Sequence, residues 1–166
     1  GVPQGSPASP ILANVVAHYV IDLWFETVVK VHCQGQVAMF RYADDLVICC
    51  QMASDAERVH KALGRRLERF GLRLNEEKSR LVSFSRASLR RGIRQGSFDF
   101  LGLTFYLGKS KNGAAIPKLR TSRKRLRSKL KRVTEWARST RSTLRLRDLW
   151  RIFVAKIRGH IAYYGV

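Results

Sequence analysis

Acidic residues are scarce in this chain. Twelve Asp and Glu stand against 32 Lys and Arg, a formal net charge of +20 over 166 residues. A field of that sign attracts polyanions, so nucleic acid is the first partner to consider and an anionic membrane surface the second. Cysteine is scarce too. Cys33, Cys49 and Cys50 are odd in number, show no zinc-type spacing and fall in apolar contexts. They read as buried free thiols of a reducing compartment, which points to the cytoplasm. His18, His32, His60 and His160 keep no metal-ligand spacing. No apolar run approaches the roughly 18 residues of a spanning helix. There is no signal-peptide pattern and no internal repeat.

What remains is ordinary globular material, 45% apolar, at a length that suits one domain or one domain with an appendage. The chain starts inside a motif-like stretch rather than at Met and stops at "AYYGV", and so reads as a piece of a longer protein. "GVPQGSPASP" (1–10) predicts a loop and a helix start, with Ser6 or Ser9 as caps and Pro7 or Pro10 in the first turn. Ile11, Leu12, Val15, Val16, Tyr19, Val20, Leu23 and Trp24 then form a helical stripe wide enough to be mostly buried. "GQVAMFRY" (35–42) and "LVICC" (46–50) predict a β-hairpin with Ala43, Asp44 and Asp45 at its tip. From Ser54 a second amphipathic helix follows, with Ala56, Val59, Leu63, Leu67 and Phe70 on one face and Gly71 ending it. "LRLNEEKSRLVSF" (72–84) predicts strand, turn and strand. "SFDFLGLTFYLG" (97–108) predicts a hairpin-like segment interrupted by Gly102.

Composition changes near residue 109. Residues 109–158 hold 18 Lys and Arg against Glu135 and Asp148, a net of +16 out of the chain's +20. Leu126, Leu130, Val133 and Trp136, then Leu146, Leu149, Phe153, Ile157, Ile161 and Tyr164, keep helical spacing. The segment therefore reads as basic helices with an apolar side. A domain boundary is expected near 109–120, dividing 1–112 from 113–166. Trp24, Trp136 and Trp150 fall at helical apolar positions and are expected in the core, as is one of Tyr163 and Tyr164.

"FRYADDLVICC" (40–50) carries the chemistry. Adjacent Asp44 and Asp45 in a β-branched, apolar setting repel each other and resist burial. Three uses are open: a solvated turn, a general acid/base pair, or a site where carboxylate oxygens and substrate phosphates hold Mg²⁺. The third offsets the repulsion.

"YADD" between apolar strands resembles the active-site hairpin of reverse transcriptases. Further blocks follow in that family's order: "PQGSPASP" (3–10), "GLRLNEEKS" (71–79) and "FDFLGLTF" (98–105). "HYVIDLWFE" (18–26), "RYADDLVI" and "IRGHIAYYGV" (157–166) narrow the resemblance to bacterial group II intron reverse transcriptase/maturases. Retron and diversity-generating reverse transcriptases, and a non-enzymatic RNA-binding maturase, stand as alternatives. The resemblance implies an α+β fold: a palm of a small antiparallel sheet with packed helices, followed by a basic helical thumb, without fingers.

The roles it implies are these. Asp44 and Asp45 bind an Mg²⁺ pair, and Tyr42 and Ala43 shape the hairpin beside the primer end. Gln4 and Gly5 contact the incoming dNTP, and Lys78 lies near its triphosphate, with Asn75 organising the turn. Leu101 and Gly102 belong to the primer grip; the bare alternative at Gly102 is a β-bulge. Arg120, Arg123, Lys124, Arg127 and Lys131, from the densest cationic stretch (118–132), meet nucleic-acid phosphates. The implied partners are an RNA template, a DNA primer, dNTP and structured intron RNA, with no membrane. The family's third metal-binding carboxylate lies upstream of the "PQG" block. Asp22, mid-helix in an apolar stretch, is not expected to replace it, so this chain alone is expected to be inactive.

Overall fold

The computed structural model describes residues 8–93 and 95–164. By contact the chain divides into two compact units, 1–83 and 84–166. The compositional break near residue 109 thus falls inside the second unit, in the turn between two paired strands.

In the first unit, α1 (Ala8–His32) is a continuous helix of 25 residues. It contains two wide π turns, closed by the Leu23 N–H on the His18 carbonyl and the Lys30 N–H on the Phe25 carbonyl. A hairpin of β1 (Val37–Tyr42) and β2 (Asp45–Cys50) follows, then α2 (Ala53–Glu68). The core is built by Val20, Trp24, Phe25 and Val29 of α1 against Val59, Leu63 and Leu67 of α2. Val37, Met39, Leu46 and Ile48, the inward side of the hairpin, pack on it. Phe25 is fully buried, which contributes about 1.5–3 kcal/mol. The α2 face is as predicted from Val59 to Leu67, but Phe70 lies beyond the helix and is exposed. Gly71, at φ 69°, ends the helix in a Schellman arrangement: the Leu72 N–H reaches the Leu67 carbonyl and the Gly71 N–H the Glu68 carbonyl.

Three expectations change here. The stripe on α1 is buried only in its second half. Ile11, Leu12, Val15, Val16 and Tyr19 are exposed, because α2 and the hairpin cover the helix only from Val20 onward. Residues 72–84 form no strand: among the described residues no ladder partner meets them, and the backbone turns at 76–78 instead. Cys49 is exposed rather than buried, since it faces outward on β2, while Cys33 and Cys50 are half-buried; all three are free.

Against the expectation that no stretch approaches a spanning helix, α1 is long and apolar enough to cross a membrane by length and composition. Polar residues Asn14, His18, Asp22, Glu26 and Lys30 recur every fourth position along it. Glu26 and Lys30 pair at 2.6 Å, and Asp22 pairs with Arg41. The second half of α1 serves as a wall of the protein core.

The second unit opens with α3 (Arg86–Arg90), capped by the Ser85 hydroxyl accepting the Ser88 N–H. A three-stranded antiparallel sheet follows, in the order β3 (Ser97–Phe100), β4 (Leu103–Lys109), β5 (Ala115–Thr121). The described residues thus hold two small sheets where one was expected. Two helices complete the unit, α4 (Arg123–Thr140) and α5 (Leu146–Tyr164). They run antiparallel: Lys129 lies over the Tyr164 ring, Lys156 over the Trp136 ring, and Ala137 and Arg141 share a groove with Leu149 and Phe153. Neither helix has a fully buried residue. Leu126, Val133, Trp136, Leu149, Phe153, Ile157 and Tyr164 are half-buried, while Leu130, Leu146, Trp150, Ile161 and Tyr163 stay exposed. Two antiparallel helices cannot by themselves enclose every apolar position of both stripes.

Candidate active site

The acidic hairpin is set by simple alternation. On β1, Val37, Met39 and Arg41 face the core, while Ala38, Phe40 and Tyr42 face out. Register pairs Arg41 with Leu46 and Tyr42 with Asp45, so Ala43 and Asp44 are the two turn residues. Ala43 has φ 52° and Asp44 does not share that sign. Positive φ is a conformation that favours Gly over residues with a Cβ. An alanine there costs about 1 kcal/mol, so the conformation needs support.

Arg41 gives that support. Its Nη1 donates to the Ala43 carbonyl at 3.0 Å and to Asn14 Oδ1 at 3.1 Å. Its Nε and Nη2 donate to Asp22 Oδ1 at 2.7 Å and Oδ2 at 2.6 Å. The hydrogen bond from Arg41 holds the Asp22 carboxyl below its ordinary range against the opposing effect of burial, with His18 Nδ1 3.6 Å away adding to it. Both Asp22 oxygens are engaged, so Asp22 is no spare metal ligand. Sequence reasoning passed over Arg41 and Asn14 as parts of the site and weighed Asp22 only as a replacement metal ligand. The available signal was two opposite charges, each at an inward position of an otherwise apolar element.

Asp44 and Asp45 are both exposed, and neither carboxylate has a hydrogen-bond or ion-pair partner among the described residues. Tyr42 is 66% exposed beside Asp45, and Phe40 is exposed on the same face. Adjacent free carboxylates flanked by an aromatic surface suit a hard divalent cation, which takes one or two carboxylates and completes its shell with substrate phosphates. Among the described residues no third His, Cys, Asp or Glu joins them.

The other predicted residues fall in separate places. Gln4 and Gly5 lie outside the described residues. Lys78 is exposed on a turn that Asn75 organises: the Lys78 N–H meets both the Asn75 carbonyl (3.1 Å) and Oδ1 (3.2 Å). Leu101 and Gly102, in the second unit, are the two central residues of the β3–β4 turn, with φ 51° and 81°. Positive φ at both positions is the type I′ pattern; the turn replaces the β-bulge alternative. The Gly102 carbonyl accepts the Ser122 N–H at 3.0 Å and the Leu101 carbonyl the Tyr163 hydroxyl at 3.3 Å. Beneath the turn, Asp99 accepts from the Thr104 hydroxyl (2.5 Å) and the buried Ser122 hydroxyl (2.8 Å). Arg120 sits on β5, over the Tyr106 ring, because the cationic stretch 118–132 begins as strand. Arg123, Lys124, Arg127 and Lys131 are exposed on α4.

Asp55 also escaped sequence reading. Fully buried at the start of α2, it accepts the Gln34 N–H (3.0 Å) and the Gly35 N–H (2.9 Å), with Arg58 at 3.5 Å. Its role is to tie the 33–36 turn to the helix, not chemistry.

No curated protein matches this chain. A family profile described as reverse transcriptase (RNA-dependent DNA polymerase) matches residues 1–105, a span that contains the acidic hairpin, the Asn75 turn and the Leu101–Gly102 turn. With nearly two thirds of its length matched, the chain belongs to the reverse transcriptase family.

Proposed function

We propose that this chain is the palm core and part of the thumb of a reverse transcriptase of the bacterial group II intron type, which copies RNA into DNA and also binds its intron RNA as a maturase. The observation that carries the polymerase reading is the exposed Asp44–Asp45 pair on a braced hairpin turn, in a chain of this family. The two carboxylates would hold Mg²⁺. When bound, such a pair of ions activates the primer 3′ hydroxyl and stabilises the leaving pyrophosphate.

The chain's own residues do the remaining work. Tyr42 and Ala43 shape the surface beside the primer end. Gln4 and Gly5 receive the nucleotide sugar. Lys78 neutralises triphosphate charge and supplies a proton to the departing pyrophosphate. The turn at Leu101 and Gly102 supports the primer backbone. Arg120, Arg123, Lys124, Arg127 and Lys131 hold the template–primer duplex and the structured RNA through phosphates, by shape rather than base sequence. The third carboxylate of the metal site belongs upstream of the "PQG" block, and the site of action is the bacterial cytoplasm. The narrower group II assignment is supported by "RYADDLVI" and the "IRGHIAYYGV" ending, and the maturase role by the concentration of positive charge after residue 109.

Paired assays test the reading. In a protein that carries this chain together with the third carboxylate, Asp44→Ala and Asp45→Ala should each abolish primer extension on an RNA template with Mg²⁺ and leave intron splicing intact. Extension that survives both substitutions would refute the polymerase site. No extension from the unsubstituted protein, with splicing retained, would instead favour the non-enzymatic maturase.

A further inference from the structure

A two-stranded hairpin is marginal on its own, and this one ends in two like charges and an alanine at φ 52°. Something outside the hairpin must fix the tip. Arg41 is the inward position beside the turn, its side chain only 14% exposed, while its neighbours Phe40 and Tyr42 are open to solvent. Guanidinium donors are arranged in a rigid planar fork. Here one edge of the fork is taken by both oxygens of Asp22, and the remaining Nη1 is shared by Asn14 Oδ1 and the Ala43 carbonyl. Asn14 and Asp22 lie two helical turns apart on α1. The guanidinium is therefore held from two points on a rigid element before it reaches the turn. A lysine at this position offers a point charge, able to pair with Asp22 but without the fork that reaches the other partners.

We propose that Arg41 is the positioning residue of the acidic turn. It ties the Ala43 carbonyl to Asp22 and Asn14 of α1, and so fixes the backbone from which Asp44 and Asp45 present their carboxylates to a divalent cation. The presentation part of this inference rests on the metal-binding reading above; the brace itself does not.

The test uses the 166-residue chain with two readouts: amide hydrogen exchange at residues 43–46 by NMR, and Mn²⁺ affinity by electron paramagnetic resonance. The variants are Arg41→Ala, Arg41→Lys, Asp22→Asn and Arg41→Lys/Ala43→Gly, with Asp44→Ala/Asp45→Ala marking zero binding. Arg41→Lys and Asp22→Asn keep bulk, and so report even where Arg41→Ala fails to fold.

Exchange at the tip should rise about tenfold in each single variant, with α2 amides unchanged. Mn²⁺ affinity should fall in parallel by roughly tenfold or more, as for partners that orient metal ligands. Ala43→Gly, which accepts positive φ freely, should recover part of the loss in the lysine variant. Unchanged exchange at the tip overturns the brace. Faster exchange with wild-type Mn²⁺ affinity overturns the positioning role and leaves Arg41 a folding contact. If Asp44→Ala/Asp45→Ala binds Mn²⁺ like the wild type, the metal reading itself fails, and the presentation of the acids with it.

Discussion

Arg41 and Asp22 meet along a full edge, Nε to Oδ1 at 2.7 Å and Nη2 to Oδ2 at 2.6 Å. This pair joins the strand that ends at the acidic turn to the middle of the core helix. Its position makes the first unit's stability sensitive to acid.

The Asp22 carboxyl is held below its ordinary value of 3.8, first by the hydrogen bond from Arg41. A carboxyl depressed in the folded state contributes stability above its unfolded pKa, and that contribution is lost as pH falls through the folded pKa. Asp22→Asn should therefore cost about 1–3 kcal/mol at neutral pH and progressively less below pH ~4. Urea unfolding followed by near-ultraviolet circular dichroism at pH 7 and pH 3 measures the difference. An equal cost at both pH values would show that the pair contributes no charge-dependent stability.

Asp55 should be the more sensitive of the two acids to truncation. The hydrogen bonds from Gly35 and Gln34 and the Arg58 charge hold its carboxyl low against burial. Asp55→Ala leaves two N–H groups without their acceptor, whereas Asp55→Asn keeps an oxygen for them. The alanine variant should have the lower urea midpoint, and the asparagine variant should fall between it and the wild type. The acid sensitivity has the same sign as for Asp22.

Gly102 should tolerate no side chain. At φ 81° it holds a backbone conformation that favours glycine, and an added Cβ would lie 2.8 Å from Tyr164 Oη and 3.0 Å from its Cε1. Gly102→Ala should destabilise the second unit by about 1–3 kcal/mol. Tyr164→Phe in the same background should restore little, because the ring carbon is itself too near. Thermal unfolding of the four combinations gives the coupling.

How much of this was legible in the residues alone depends on where the determining information lies. The hairpin and the Gly71 stop follow from local alternation and turn chemistry, and they were readable; the register was not, since Asp45, expected at the tip, opens β2 opposite Tyr42 and leaves a two-residue turn. The exposure of Ile11, Leu12, Val15 and Val16 was not, because a helical stripe states that a face is apolar and not that anything covers it. Residues 72–84 show the same limit for strands: Leu72, Leu74, Leu81 and Val82 suit a ladder, but a ladder exists only if a second strand arrives. The two carboxylates were found through the four-residue motif. The arginine that braces them was missed, since its partners stand 19 and 27 residues away, and only the fold brings them together. Arg120 shows that charge density marks a surface without fixing its secondary structure.

The exposed cations of α4 should act as phosphate contacts. Binding of an RNA–DNA duplex should weaken as salt rises, and replacing Arg123, Lys124, Arg127 and Lys131 by glutamine should each reduce the logarithmic salt slope by about one. The weakening should be uniform across duplex sequences. Fluorescence anisotropy over a salt series measures both quantities. A variant that changes sequence preference without changing the slope would contradict phosphate contact.

The central claim, that Asp44 and Asp45 together hold a divalent cation, is open to direct localisation. Crystals of the chain grown with saturating Mn²⁺ and a dNTP, measured for anomalous scattering, should show a manganese peak bonded to carboxylate oxygens of both aspartates and to the nucleotide phosphates. Manganese bound elsewhere, with both carboxylates left in solvent, would contradict it.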